Sequence, residues 1–130
     1  MALPQGRLAG QHAVMRTGVG IYCLVVGVLM AVWWAVDIGR GALQRPDRTR
    51  PEIVLHLAAE LVTAALLAIG GGLLVAGGSA GIALAGLGML LYTVIASPGY
   101  FIARHEWAPA AMFAALAALT VAALAGVLAL

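Results

Sequence analysis

The chain has 130 residues, of which 64% are hydrophobic and 9% charged, and its formal net charge is +2. A soluble domain carries about 25% charged residues, so this composition excludes a water-covered globule and places the chain in a membrane. The length fits one domain, no basic surface suggests nucleic-acid binding, and a lone cysteine, Cys23, excludes an internal disulfide, a CxxC pair and a multi-thiolate metal site.

The first apolar run, Thr17 to Val36, has 20 residues without a charge. A spanning helix needs about 20 such residues, and a signal peptide's apolar region is shorter, about 7–15. Trp33 and Trp34 sit near its far end, where aromatic belts lie. "GRGALQRPDRTRP" (39–51) is a polar loop. From Leu61 to Ala103 there is no charged group, a stretch that suits two helices. "VAGGSAG" (75–81) supplies the turn between them, because paired glycines punctuate helices. "SPGY" (97–100) is expected to kink or shorten the third helix, since proline removes a backbone donor. "RHE" (104–106) is a tight polar turn. Trp107 to Leu130 is a fourth span, with Pro109 in its first turn, where proline is tolerated.

Only helices and closed barrels satisfy backbone polar groups in lipid. The apolar runs are continuous rather than alternating, which excludes a barrel. The expected fold is all-α, an antiparallel bundle of four transmembrane helices over about 17–38, 52–75, 81–103 and 107–130. Small residues recur every four positions in two helices: Gly27, Ala31, Ala35 and Gly39, then Ala110, Ala114, Ala118, Ala122 and Gly126. Such stripes let helices approach closely, so these faces are expected at interfaces within the bundle or between copies. Arg40, Arg45, Arg48, Arg50 and Arg104 outnumber Arg7 and Arg16. That favours the polar loops inside and the termini outside, although Arg16 beside the first helix pulls the other way.

The antiparallel path gathers Asp37, Glu52, His56, Glu60, Ser97, Tyr100, Arg104, His105 and Glu106 at one end. Glu52, His56 and Glu60 are four apart, on the face where i and i+4 side chains meet. Glu52 reads as a first-turn acid favoured by the helix dipole. Glu60 lies roughly 13 Å beyond Pro51 along the axis, approaching the middle of a core about 30 Å thick. A carboxyl at that depth must be neutral, paired or facing a wet cavity. One expectation is a structural clasp from Glu60 to Thr93, Tyr92 or Ser97. The other is a ligand or proton site built from Glu60, His56, Ser97, Arg104, His105 and Glu106, relaying protons or holding a cationic or quinone-like headgroup, a lipid or a small ligand. A haem held by His56 and His105 is disfavoured, because His105 sits in a turn. No metal site is expected, and Ser97 with His56 and an acid lacks a nucleophile elbow. No complete catalytic constellation is visible.

"HLAAELVTAALLAIGGGLL" (56–74) resembles the second helix of the DoxX-like group of small four-helix membrane proteins. The resemblance rests on Glu60 and on Gly70 to Gly72, with Arg16, Gly18 and Gly20 echoing the group's first-helix pattern. It implies association with membrane redox systems that handle sulfur compounds or quinones, and termini in the cytoplasm. The resulting expectation is a small multi-pass protein of the inner (plasma) membrane. It serves as an accessory or scaffold subunit, in a homo-oligomer or a larger complex, or it carries its own site at Glu60 and His56.

Overall fold

A computed structural model describes residues 5–44, 46 and 49–130. Arg45 and Arg48, counted above for orientation, lie outside the described residues. Helix α1 spans Gln5–Gly39 and is followed by a short 3-10 turn at Ala42–Gln44. Helices α2 (Arg50–Val75), α3 (Gly81–Ala103) and α4 (Trp107–Leu128) complete the chain. All four α-helices are long and apolar enough to cross a membrane. The chain is a four-helix membrane protein, and no strand occurs among the described residues.

Helix α1 starts at Gln5 rather than Thr17, because hydropathy reports the span and not the helix. "QGRLAGQHAVMR" contains no proline and continues the helical hydrogen bonds outward. At 1.5 Å per residue its 35 residues reach about 52 Å, well beyond a bilayer core of about 30 Å. Residues 6–15 are all exposed. Arg16 marks where the helix enters the bundle, donating from its guanidinium to the Gly78 carbonyl in the α2–α3 turn.

The bundle is two hairpins. α1 lies mainly on α2 and α4 mainly on α3, α2 and α3 join the pairs, and the α1–α4 seam is narrow. Leu67, Leu74, Leu87, Leu90, Val94 and Cys23 fill the centre. The α1–α2 seam is built on glycine. A β-carbon at Gly20 would stand 2.9 Å from the Gly71 carbonyl oxygen, and one at Gly27 2.7 Å from that of Ala64. Those are backbone-to-backbone approaches that no larger residue allows. Gly70 against Ala83 and Gly86 against Leu67 do the same for α2 and α3.

The four-residue stripes lie mostly outside the bundle's own seams. Of the α1 stripe only Gly27 is buried, while Ala31, Ala35 and Gly39 are exposed. In α4, Ala110 is buried, Gly126 is half-buried, and Ala114, Ala118 and Ala122 face outward. The reason is geometric. A step of four residues turns roughly 40° past a full turn, so a long run walks off any one contact, whereas a step of seven falls only about 20° short. The seven-residue pairs Gly20/Gly27 and Ala64/Gly71 are the ones that stay in register.

Two helices end in the same way. The Gly78 N–H donates to the Leu73 carbonyl at 2.7 Å and the Gly77 N–H to Leu74 at 3.1 Å. At the end of α3, Glu106 donates to Phe101 at 2.9 Å and His105 to Ile102 at 3.0 Å. Each pair is a Schellman motif, which requires a left-handed residue after the cap. Gly77 supplies it at φ 81° and His105 at φ 59°. Helix α3 passes through Pro98 without being shortened.

Candidate functional site

Helix α2 begins with Glu52 accepting the Thr49 N–H at 2.9 Å, which satisfies one of the free donors of the first turn. Pro51 sits in that first turn, where no donor is needed. From there the buried line of α2 runs Ile53, Glu60, Leu67, Leu74, seven residues apart. Ile53, Leu67 and Leu74 are buried, and Glu60 is half-buried in the same line. An acid therefore occupies a position that the helix otherwise reserves for core side chains.

The antiparallel seam sets what stands beside it. Gly20 meets Gly71, Gly27 meets Ala64, and the Trp34 ring meets His56 with centroids 5.7 Å apart in an edge-to-face pair. Glu60 falls in the layer between the last two contacts. The α1 residue in that layer is Ala31, small and exposed. His56 is exposed and Trp34 half-buried, and the ring pair lies one helical turn nearer the surface than Glu60. Trp34 sits where an interfacial anchor is expected, and it also packs against His56. Its second role is visible only once the two helices are set in register.

The expected clasp to Thr93, Tyr92 or Ser97 does not form. The Thr93 hydroxyl donates to the Met89 carbonyl at 3.2 Å, and Ser97 to the Thr93 carbonyl at 2.9 Å. Thr63, buried one turn deeper than Glu60, donates to the Ala59 carbonyl at 2.8 Å. Hydroxyls in apolar helices turn back to the carbonyl four residues earlier when no closer acceptor is offered. Tyr92 is 83% exposed, facing away from the core. Glu60 has no hydrogen-bond or ion-pair partner among the described residues.

The remaining residues form a separate group. Arg104 donates from Nε to Glu106 Oε1 at 3.2 Å and from Nη1 to the Tyr100 hydroxyl at 3.1 Å. Its guanidinium also lies 5.3 Å from the centre of the Tyr100 ring. The hydrogen bond that Arg104 donates to Glu106, followed by its electrostatic interactions with Tyr100 and Glu106, holds the Arg104 pKa above its ordinary value. His105 packs against Trp107, with centroids 6.5 Å apart. Among the described residues no hydrogen bond, ion pair or ring contact links Arg104, His105, Glu106 or Ser97 to Glu60 or His56. The single polar cluster expected at this end resolves into an exposed turn and a seam acid.

His56 and His105 each pair with a different tryptophan. No three His, Cys, Asp or Glu among the described residues come together as metal ligands. One more polar contact escaped the sequence reading. Tyr22 and Thr120 share a hydrogen bond of 2.8 Å across the narrow α1–α4 seam, and the Thr120 hydroxyl lies 2.7 Å from the Leu116 carbonyl. A buried hydroxyl in α4 facing the phenol of α1 was the available signal.

No curated protein and no solved structure matches the chain. A family profile does match, over residues 14–130, which takes in all four spans and omits the outermost turns of α1. The chain belongs to the family described as a domain of unknown function, DUF8058.

Proposed function

We propose that this protein is a small accessory or scaffold subunit of the cell (plasma) membrane, whose helices pack against a second copy or a larger membrane complex. The observation that carries this reading is the outer face of α4. Only 17% of its spanning window is buried, and Ala111, Ala114, Ala115, Ala118, Ala122 and Ala125 are all exposed. Lipid tails are as apolar as any side chain, so a surface of small residues gains by close helix–helix packing rather than by facing lipid. The resemblance of α2 to the DoxX-like group adds a membrane redox system as the setting. The test is native mass spectrometry and in-membrane cross-linking of the wild type against an Ala114→Leu, Ala118→Leu double variant. A larger species that the double variant loses supports the reading. A wild type that is monomeric in its native membrane overturns it.

Glu60 favours a second reading, a quinone, lipid or small-ligand site, or a proton path, at the polar end with His56. An acid in a core line without a partner has no structural task in the isolated bundle. Difference infrared spectroscopy of wild type against Glu60→Gln checks this. A carboxyl band that shifts when a ligand is added supports it, and a band indifferent to every ligand overturns it.

A further inference from the structure

We propose that Glu60, Ala31 and Trp34 form a lateral notch on the α1–α2 seam that binds an organic cation carrying apolar groups, entering from the lipid. This rests on the second reading above and names its ligand class. The half-buried carboxyl stands about 13 Å beyond Pro51 along α2, and the hydroxyls of Thr63, Thr93 and Ser97 are committed to their own helices. Arg16 is tied to the α2–α3 turn and Arg104 to Glu106 and Tyr100. A carboxylate in an apolar setting is costly until a positive charge meets it. No cation among the described residues pairs with Glu60, and a cationic ligand would supply that partner.

The shape of the notch selects the kind of cation. Ala31 is small and exposed, which leaves room beside Glu60 on the lipid-facing side. Trp34 stands one helical turn from Ala31, with its ring fixed against His56. Tryptophan is the best aromatic partner for a cation. One acid and one indole recognise a charge spread over an apolar body, such as a quaternary ammonium or phosphonium. A bare metal ion needs further oxygen or nitrogen ligands, and no such group of three is present among the described residues.

The test uses the full chain in lipid nanodiscs, with Trp33 and Trp107 changed to Phe so that Trp34 alone reports. Tetraphenylphosphonium is titrated and Trp34 fluorescence followed. The expected result is a saturable change whose affinity falls about tenfold or more in Glu60→Gln and in Ala31→Leu. Tetraphenylborate, of similar size and opposite charge, should give no saturable change. Equal affinity in wild type and both variants overturns the proposal, as does a preference for the borate. If Glu60→Gln fails to fold, Ala31→Leu carries the test, because Ala31 is exposed. A short-chain benzoquinone is titrated alongside. A saturable, Glu60-dependent response to the quinone without one to the phosphonium overturns the cation proposal and leaves the site reading standing. Silence from both ligands overturns the cation proposal and leaves the site reading to the infrared comparison of wild type with Glu60→Gln.

Discussion

In the glycine half of the bundle the helices touch backbone to backbone; in the polar half, side chains come between them. Gly20 against Gly71 and Gly70 against Ala83 leave no room for a single added carbon. At the other end the spacing is set by rings: Trp34 against His56, and Phe101 stacked on Phe113 with centroids 5.3 Å apart. Backbone contacts have one geometry and few alternatives. Ring contacts tolerate small movements, and Glu60 lies half-buried at this end without a partner among the described residues. The rigid half sets the register of α1 on α2, and the looser half inherits a position for Glu60 that its own contacts do not seal.

The sharpest way to break this contrast is to add bulk to the glycine half. Gly71→Leu should cost about 3 kcal/mol, since overpacking against backbone forces the helices apart. Reversible unfolding in mixed detergent would show it, and a cost under about 1 kcal/mol would mean that the seam is not close-packed. The two helix ends offer a smaller, opposed pair of changes. Gly77→Ala should lose about 1 kcal/mol, and His105→Gly should gain up to about 1 kcal/mol, because a β-carbon is disfavoured in the left-handed conformation both adopt. Thermal denaturation of the two variants side by side should give shifts of opposite sign. Next is the α1–α4 bond. Thr120→Val should cost about 1 kcal/mol, the usual size of a helix-to-helix hydrogen bond in lipid, read by the same unfolding assay.

Glu60→Gln should leave stability within about 0.5 kcal/mol, the range of a change that breaks no interaction. A much larger loss would show that the polar half is held together by this acid after all. The smallest effect is expected at Arg104→Gln, whose contacts all lie in an exposed turn; its melting temperature should match wild type. The pKa of Arg104 is raised in the fold. Its contribution is therefore complete below the ordinary arginine range and is lost only in strong alkali. A titration from pH 5 to 9 should show no stability change due to Arg104, and a transition in that window that disappears in Arg104→Gln would contradict its assignment.

Much of this molecule was legible in its residues. Uncharged runs of membrane length marked the spans, and Gly77-Gly78 and "RHE" marked the turns, because lipid forbids unsatisfied backbone and glycine permits the left-handed step. Glu60 stood out for the same reason that hydropathy works: a charge in an apolar run is expensive. Its surroundings were not legible. Whether Thr93 or Ser97 reaches across to Glu60 or turns back to its own helix depends on rotamers and interhelical distance, neither of which a single helix specifies. The stripes left the choice between packing within the bundle and packing between copies open for a related reason. Four-residue spacing is conspicuous in a sequence, but contact is kept by positions seven apart.

By composition and hydropathy alone, the sequence determined that this is a helical membrane protein with four spans and one polar end. Those properties depend on each segment's own exchange between water and lipid, and each segment decides it separately. The tertiary structure decided which glycines bear the packing, that Arg104 and Glu60 belong to different groups, and that Trp34 pairs with His56 one turn from Glu60. Those are matters of register between helices, fixed only when Gly20 and Gly27 meet Gly71 and Ala64 at backbone distance.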